Sequence, residues 1–250
     1  MRFDLFITII MINAGVNRTT GVARRSSLTI ACVVRMPAAR YHDEHHDYDR
    51  FAGIVWRQDG SMKVSKEKAA EHHQAVIEAA AMSFRESGFA GVNVADIMQK
   101  AGLTHGAFYG HFSSKSALAA AACRYAFDDR LNGWADDVSL TDYLDRYLST
   151  LHRDRPGRGC PMAAFASDIG RQPKAVQKEF EVGVSKYRER IASLLAESGA
   201  PKAIHDSDAT ALLAAMVGSI VLARSTRSNR TLSARILAES RSAIASRFGV

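Results

Sequence analysis

Two helix-start patterns lie close together in this chain, and they constrain its fold more than any other feature. Asn93 is a favoured N-cap residue, and Asp96 follows three residues later, as in a capping box. Gly102 is a typical helix stop, and Thr104, just beyond it, is again a favoured N-cap residue. Two short helices joined by so tight a glycine-containing turn predict a helix-turn-helix.

Longer helices are predicted on both sides of this pair. The first runs from about Lys66 to Ser87, where Ser65 is suited to cap it and Gly88 to end it. Its apolar residues recur at helical spacing, which predicts that one face packs inward. The run Ser113–Lys115 predicts the cap of another helix, which we expect to extend towards Asp137.

The second short helix, from His105 to about His111, carries side chains suited to DNA. Small residues at its start permit close approach to a major groove, where base edges are read, and polar residues further along can bond phosphate oxygens. The residues alone leave a plain helical hairpin open as the alternative. The predicted DNA contacts are Thr104, His105, Gly106 and Ala107 for bases, and Tyr109, His111 and Lys115 for phosphates.

This stretch resembles the DNA-binding domain of the TetR/AcrR family of transcriptional regulators. The resemblance covers about Lys66 to Leu118, and its most specific part is the Phe-Tyr-x-His-Phe-x-x-Lys pattern that begins at Phe108. It implies an all-α fold, in which an N-terminal three-helix helix-turn-helix domain precedes a larger helical domain for ligand binding and dimerisation. It also implies the phosphate and base contacts given above. Ser83, Ser113 and Ala117 depart from the family pattern, which puts individual contacts in doubt.

The chain is predicted to consist of an extension (residues 1–61), a DNA-binding domain (62–116) and an effector-binding and dimerisation domain (117–250). The extension lacks sustained helical or strand periodicity, so we expect a disordered tail or a start assigned upstream of Met62. Its run His42, His45 and His46 has no scaffold to orient metal ligands, and we expect no metal or other cofactor. Apolar residues from Leu5 to Ile12 make a poor export signal.

Six residues are predicted to line an effector cavity in the helical part. Such cavities are built from residues that resemble a core, so a plain core stays open as the alternative. One member, Cys160, comes just before Pro161 at a predicted helix start and close to Arg158; if exposed, its thiol would have a lowered pKa and could sense oxidants or electrophiles. A buried cysteine without reactivity is the alternative. The predicted residues are Trp134, Cys160, Met162, Phe165, Phe180 and Tyr187.

The last two predicted helices, at about 208–225 and 232–248, carry more apolar residues than a solvent-facing pair needs. By the resemblance they pair across a twofold axis into a homodimer, with bare core as the alternative. We expect no stretch that is apolar over the length that a membrane helix requires, and no membrane partner.

The sequence thus predicts a cytoplasmic repressor that binds a palindromic operator in double-stranded DNA and is released by a small molecule or an electrophile. The net charge of +7 agrees with a polyanionic partner without proving one. An enzyme with Cys160 as nucleophile and His152 as base is the rival from another class, but no orienting third group is evident. A helical interaction protein without DNA binding is a third hypothesis, which the DNA-contact residues argue against.

Overall fold

The computed structural model describes residues 8–10, 31–33, 54–56, 62–133, 138–198 and 205–249. The chain divides into two compact units, Met1–Ala69 and Ala70–Val250. The predicted boundary between DNA-binding and effector domains, at residue 116, falls inside the second unit and stays a prediction.

The first unit contains short strands: β1 (Thr8–Ile10), β2 (Ala31–Val33), β3 (Ile54–Trp56) and β4 (Met62–Val64). β1 pairs antiparallel with β2, and β3 with β4. The interpretation of residues 1–61 as a disordered tail or an upstream start stays a prediction, whereas the expectation of helices from Met62 onward is wrong for β4. Apolar and β-branched residues favour extended backbone, but three residues are too few to show an alternation. The histidine-rich run lies outside the described residues.

From Lys66 onward the described chain is helical, which confirms the all-α prediction for this part. Short 3₁₀ turns at His105–Ala107, Pro156–Arg158 and Ile169–Arg171 interrupt the α-helices. The helices are α1 (Lys66–Ser87), α2 (Val94–Lys100), α3 (Phe108–His111), α4 (Lys115–Asn132), α5 (Leu140–Tyr147), α6 (Thr150–Asp154), α7 (Pro161–Phe165), α8 (Lys174–Glu197), α9 (His205–Ser225) and α10 (Arg230–Phe248).

The capping pattern around Asn93 forms as predicted. The Asn93 side chain accepts a hydrogen bond from the Asp96 backbone N–H at 2.8 Å, and its amide donates to the Asp96 carboxylate at 2.7 Å. Val92 and Ile97, the two staple positions, are both buried. Gly102, after α2, has a left-handed φ of 72°, the conformation that a glycine stop requires.

Ser83, which departs from the family pattern, has a partner that the sequence did not indicate. It is buried in α1, and its hydroxyl accepts a hydrogen bond from the Lys100 ammonium at the end of α2, at 3.0 Å. The same ammonium lies 3.7 Å from the Glu86 carboxylate. The serine at position 83 therefore allows a hydrogen bond between α1 and α2.

Helix boundaries differ from the predictions at three places. The segment from Ser139 to Arg153, whose sequence predicts one helix, is instead broken between α5 and α6, where Ser149 caps α6 by accepting a hydrogen bond from the His152 backbone N–H. The helix that begins at Lys115 ends at Asn132, short of Asp137. α9 begins at His205, before its predicted start at about 208. Asp208, a residue type favoured at helix N-caps, therefore lies within the helix, and its carboxylate pairs with Arg247 of α10 at 3.1 Å.

The core of the second unit brings α4, α8, α9 and α10 together. α4 packs along α8, and α9 packs against both α8 and α10. Gly183 in α8 permits the first contact, because a Cβ there would overlap the ring of Phe127 in α4. That ring also meets Phe180 and Tyr187 edge-on, at centroid distances of 5.5 and 5.8 Å.

One described segment, Ser207–Ser225 of α9, is long and apolar enough to cross a membrane, which corrects the expectation that no stretch is. Its Leu212, Met216 and Ile220 are fully buried in the core of the second unit. The burial of this face explains why α9 is so apolar, because a helix in the core of a protein can be as long and as apolar as one that crosses a membrane.

Candidate DNA-binding surface and effector cavity

The predicted recognition segment is a 3₁₀ turn, His105–Ala107, that continues directly into α3. Phe108 and Phe112 anchor it, with exposed fractions of 2% and 7% and ring centroids 6.0 Å apart. On the other side Tyr109 is 75% exposed. An apolar face therefore fixes the segment to the protein while its polar face lies open to solvent.

The four predicted base-contact residues lie together at the start of this segment. Thr104, His105 and Gly106 are exposed, and Ala107 is partly buried. Thr104 has the extended backbone of an N-cap, but its side chain makes no capping hydrogen bond. This corrects the expectation that it caps the helix, and the hydroxyl is available for an outside contact.

Lys115, at the start of α4, already forms one hydrogen bond within the protein. Its ammonium donates a hydrogen bond to the backbone carbonyl of Val92, just before α2. An ammonium has three N–H donors, so this bond fixes the group and leaves donors for a phosphate. Ser114 caps α4 by accepting a bond from the Ala117 backbone N–H at 3.1 Å, which confirms the predicted start.

His111 lies beside two histidines of α1. Its ring centroid is 6.5 Å from that of His72 and 6.0 Å from that of His73. Burial, and then the neighbouring His73 and His72, lower the pKa of His111 below its usual value. In the protein without DNA, these surroundings therefore favour the neutral form of the His111 imidazole.

A cavity of about 560 Å³ lies among α4, α5, α6, α8 and the loop before α7. This volume is typical of small-molecule sites. Of the predicted effector residues, Cys160 and Tyr187 line it. The remaining lining residues are Arg130, Gly133, Val138, Tyr143, Asp145, Arg146, Tyr147, Ser149, Leu151, His152, Arg155 and Arg158.

Met162, Phe165 and Phe180 are not among the residues that line this cavity. Phe165 is fully buried, with its ring 4.8 Å from that of Phe89, and Met162 is buried too. Phe180 packs against Phe127. These side chains fill the core, the alternative that the sequence left open. Trp134 lies outside the described residues.

Cys160 has surroundings opposite to those of an exposed thiol. It is 2% exposed, and burial raises the pKa of its thiol, although Tyr147 and the backbone N–H groups at the start of α7 oppose the rise. The thiolate is the reactive form of cysteine, so a raised pKa disfavours the predicted reactivity.

His152 does not act on the Cys160 thiol. Its Nε2 accepts a hydrogen bond from the Cys160 backbone N–H at 2.9 Å, and its Nδ1 lies 2.6 Å from the Tyr147 carbonyl oxygen. The acceptor role of Nε2 places the proton on Nδ1, so both ring nitrogens are engaged with backbone groups. The geometry therefore supplies no base for Cys160 and leaves the enzyme hypothesis without support.

Sequence reasoning missed most of the cavity wall. Tyr143 and Tyr147 are four residues apart on the buried face of α5, with ring centroids 5.8 Å apart. Their spacing on a strongly amphipathic helix was a usable signal for an inward aromatic pair. The cationic lining was not recognisable, because arginines before Pro156 and Cys160 look like an ordinary loop until the fold is known.

Family models match two parts of the chain. Residues 76–122 match bacterial regulatory proteins of the tetR family. Residues 138–236 match the C-terminal domain of LmrA/YxaF-like transcriptional regulators. The first match contains the recognition segment, and the second contains most of the cavity.

Curated relatives are transcriptional regulators as well. The chain is 27% identical over 127 residues to the HTH-type transcriptional repressor DhaR of a Mycobacterium species, a match over 47% of this chain and 64% of that protein. It is 44% identical over 54 residues to the HTH-type transcriptional regulator TtgR of Pseudomonas putida, over 22% and 26%. The matches thus span less than two thirds of either relative's length.

Solved structures agree over most of the chain. A TetR transcriptional regulator from Chloroflexus aurantiacus is 28% identical and superposes with a TM-score of 0.60, covering 72% of this chain and 95% of that one. The reduced form of E. coli NemR, 17% identical, shares the fold with a TM-score of 0.57, covering 70% and 95%. On these grounds the chain belongs to the TetR family of DNA-binding transcriptional regulators.

Proposed function

We propose that this protein is a homodimeric repressor that binds a palindromic operator in the cytoplasm and leaves it when a small molecule fills the cavity. The observation that carries this proposal is the recognition segment His105–His111, whose apolar side is anchored by Phe108 and Phe112 while its polar side is exposed. A rigid, protruding helix start is what entry into a major groove requires.

The residues of this surface are proposed to have two roles on DNA. Thr104 and His105 lie where side chains can reach base edges, and Gly106 and Ala107 let the backbone approach them. Tyr109, His111 and Lys115 flank this surface and are proposed to bond phosphates, which sets register without reading sequence. Changes in the first group should alter base preference, whereas changes in the second should weaken binding to all sequences alike.

The proposed dimer surface lies on α9 and α10. Most large apolar residues of these helices, among them Leu212 and Leu237, face the chain's own core. Packing within the chain therefore accounts for much of the excess of apolar residues that the sequence shows in these two helices. Val221, Leu222 and Leu232 nevertheless stay exposed, at 39%, 57% and 42%. An isologous contact through this face would bury them and present two recognition segments to one side of a duplex.

The cavity has a direct connection to the DNA-binding helices. Arg155 and Arg158 line it, and the turn between them packs against the Glu86 side chain near the end of α1. Glu86 in turn pairs with Lys100 of α2. A ligand that moves the two arginines therefore acts on the support of the helix-turn-helix, which is the coupling that release from DNA needs.

The experiment is selection of bound duplexes from a random-sequence pool by the purified full chain, followed by sedimentation of the complex. We expect an inverted-repeat site occupied by two chains. The variant Tyr109→Ala, altered at an exposed position that is proposed to bond a phosphate, should enrich the same site with weaker binding. Recovery of no common sequence by the unaltered protein, or of a site occupied by one chain, would refute the proposal.

A further inference from the structure

We propose that the cavity binds a small aromatic acid, a molecule of two or three rings with one carboxylate or sulfonate group, whose anion is held by Arg155 and Arg158. This inference rests on the proposed function, because it names the chemical class of the effector for the same cavity.

The lining has an excess of positive charge. Four arginines line the cavity, namely Arg130, Arg146, Arg155 and Arg158, against the single carboxylate of Asp145. That carboxylate is already paired with Arg241, at 2.6 Å. Arg146, Arg155 and Arg158 are exposed, and they form no ion pair with any carboxylate in the described part of the chain. The site therefore attracts an anion and repels a lipophilic cation.

The inner walls are aromatic. Tyr143, Tyr147 and Tyr187 are 6%, 5% and 1% exposed, and the ring of His152 meets that of Tyr147 at a centroid distance of 4.6 Å. Flat π-surfaces at these distances accommodate a further ring by stacking or edge contact. The volume of about 560 Å³ leaves room for a ligand of two or three rings.

One polar group of this wall has only a weak partner. The Tyr147 hydroxyl is buried, and the polar group beside it is the Cys160 thiol, which is only a weak hydrogen-bonding group. A buried hydroxyl with so weak a partner is costly, and a ligand oxygen that reaches it on binding would remove that cost. We therefore assign to the ligand an acceptor oxygen on its ring system, separate from the anionic group.

The first test compares two fluorescent probes that share one ring system. 8-Anilinonaphthalene-1-sulfonate carries the anion, and N-phenyl-1-naphthylamine does not. We expect the full chain to bind the sulfonate at least about tenfold more tightly, because only the sulfonate can form a charge-assisted pair with the two arginines. In Arg155→Gln/Arg158→Gln the preference should fall to about twofold, while the neutral probe still binds.

The matched control removes two arginines outside the cavity. Arg124→Gln/Arg171→Gln changes the net charge by the same amount, and both residues lie in surface ion pairs. This variant should keep the tenfold preference. Equal affinity for the two probes, or a preference that the Arg155/Arg158 variant retains, would overturn the inference, because the sulfonate would then bind elsewhere on the surface.

The second test concerns the hydroxyl. 6-Hydroxy-2-naphthoate should displace the fluorescent sulfonate about three- to tenfold better than 2-naphthoate, the range expected for one net hydrogen bond. Tyr147→Phe should abolish that advantage, and an unchanged advantage would contradict the assignment. DNA binding without ligand is measured separately. If DNA binding is absent but the probes behave as expected, the proposed regulatory function is refuted and the inference about the ligand class stands. If DNA binding is intact but the probes do not behave as expected, the inference about the ligand class is refuted and the proposed function stands.

Discussion

Gly157, in the turn between two cavity arginines, packs against the side chain of Glu86 near the end of α1. A Cβ at position 157 would overlap Oε1 and the outer carbons of Glu86. The Glu86 side chain is flexible and 42% exposed, so it can move aside, but it would then leave Lys100 of α2. The position thus links the cavity loop to the DNA-binding helices.

Gly157→Ala should weaken DNA binding while changing the free energy of unfolding by less than about 1 kcal/mol, since exposed ion pairs contribute little to stability. In a Glu86→Ala background the same change should have no effect on DNA affinity, because no side chain remains to be displaced. Fluorescence anisotropy on the selected duplex measures this double-mutant cycle. Equal effects in both backgrounds would rule out the link.

Gly106→Val should abolish DNA binding without unfolding the protein. A Cβ at Gly106 would meet no protein atom within 4 Å, so only the DNA opposes a side chain there. Gly170 is the matched control, because it is also exposed, is also the middle residue of a 3₁₀ turn and is equally unobstructed. Gly170→Val should bind DNA normally, and an equal loss in the two variants would count against close approach at Gly106.

Gly183→Ala should lower the free energy of unfolding by about 1 to 3 kcal/mol, because the added methyl group would overlap the Phe127 ring in a packed core. This is opposite to the usual gain when alanine replaces a helical glycine. Adding Phe127→Leu makes room, so the double variant should be less destabilised than the two single changes predict together. Urea unfolding of the four proteins measures the non-additivity, and strict additivity would contradict the packing.

His152 should make stability depend on pH. Burial lowers its pKa in the folded protein to about 4, against a usual 6.5. Below pH 6.5 the unfolded chain therefore binds more protons than the folded protein. The contribution of His152 to the free energy of unfolding is fully present above pH 6.5 and is lost as the pH falls towards 4. Between pH 7.5 and pH 5 the unaltered protein should lose about 2 kcal/mol more than His152→Gln in urea unfolding. Parallel pH profiles would show that His152 is not protected from protonation.

The helix-turn-helix was predictable from sequence because its signals are local. Caps and glycine stops act within a few residues, so Asn93, Gly102 and Ser114 could be placed without knowledge of the rest. The same reasoning failed where a distant partner decides the role. Thr104 has the features of a cap but makes no capping bond, and the commitment of Lys115 to the Val92 carbonyl depends on packing between helices.

The cavity was harder to predict, since a cavity wall and a core have the same composition. Phe165 and Tyr187 are both fully buried aromatic residues, yet only Tyr187 lines the cavity. Which of them faces empty space depends on how α5, α6 and α8 pack, a tertiary property. The break at Ser149, which creates α5 and α6, was likewise hidden within a continuous helical pattern.

Hydroxyl-radical footprinting of the selected duplex is the most direct test of the central claim that two copies of the His105–His111 segment enter successive major grooves. We predict two protected patches on one face of the DNA, with centres about one helical turn apart, roughly 34 to 36 Å. Both patches should disappear with Gly106→Val and remain with Gly170→Val. A single patch, or protection that survives Gly106→Val, would contradict the account.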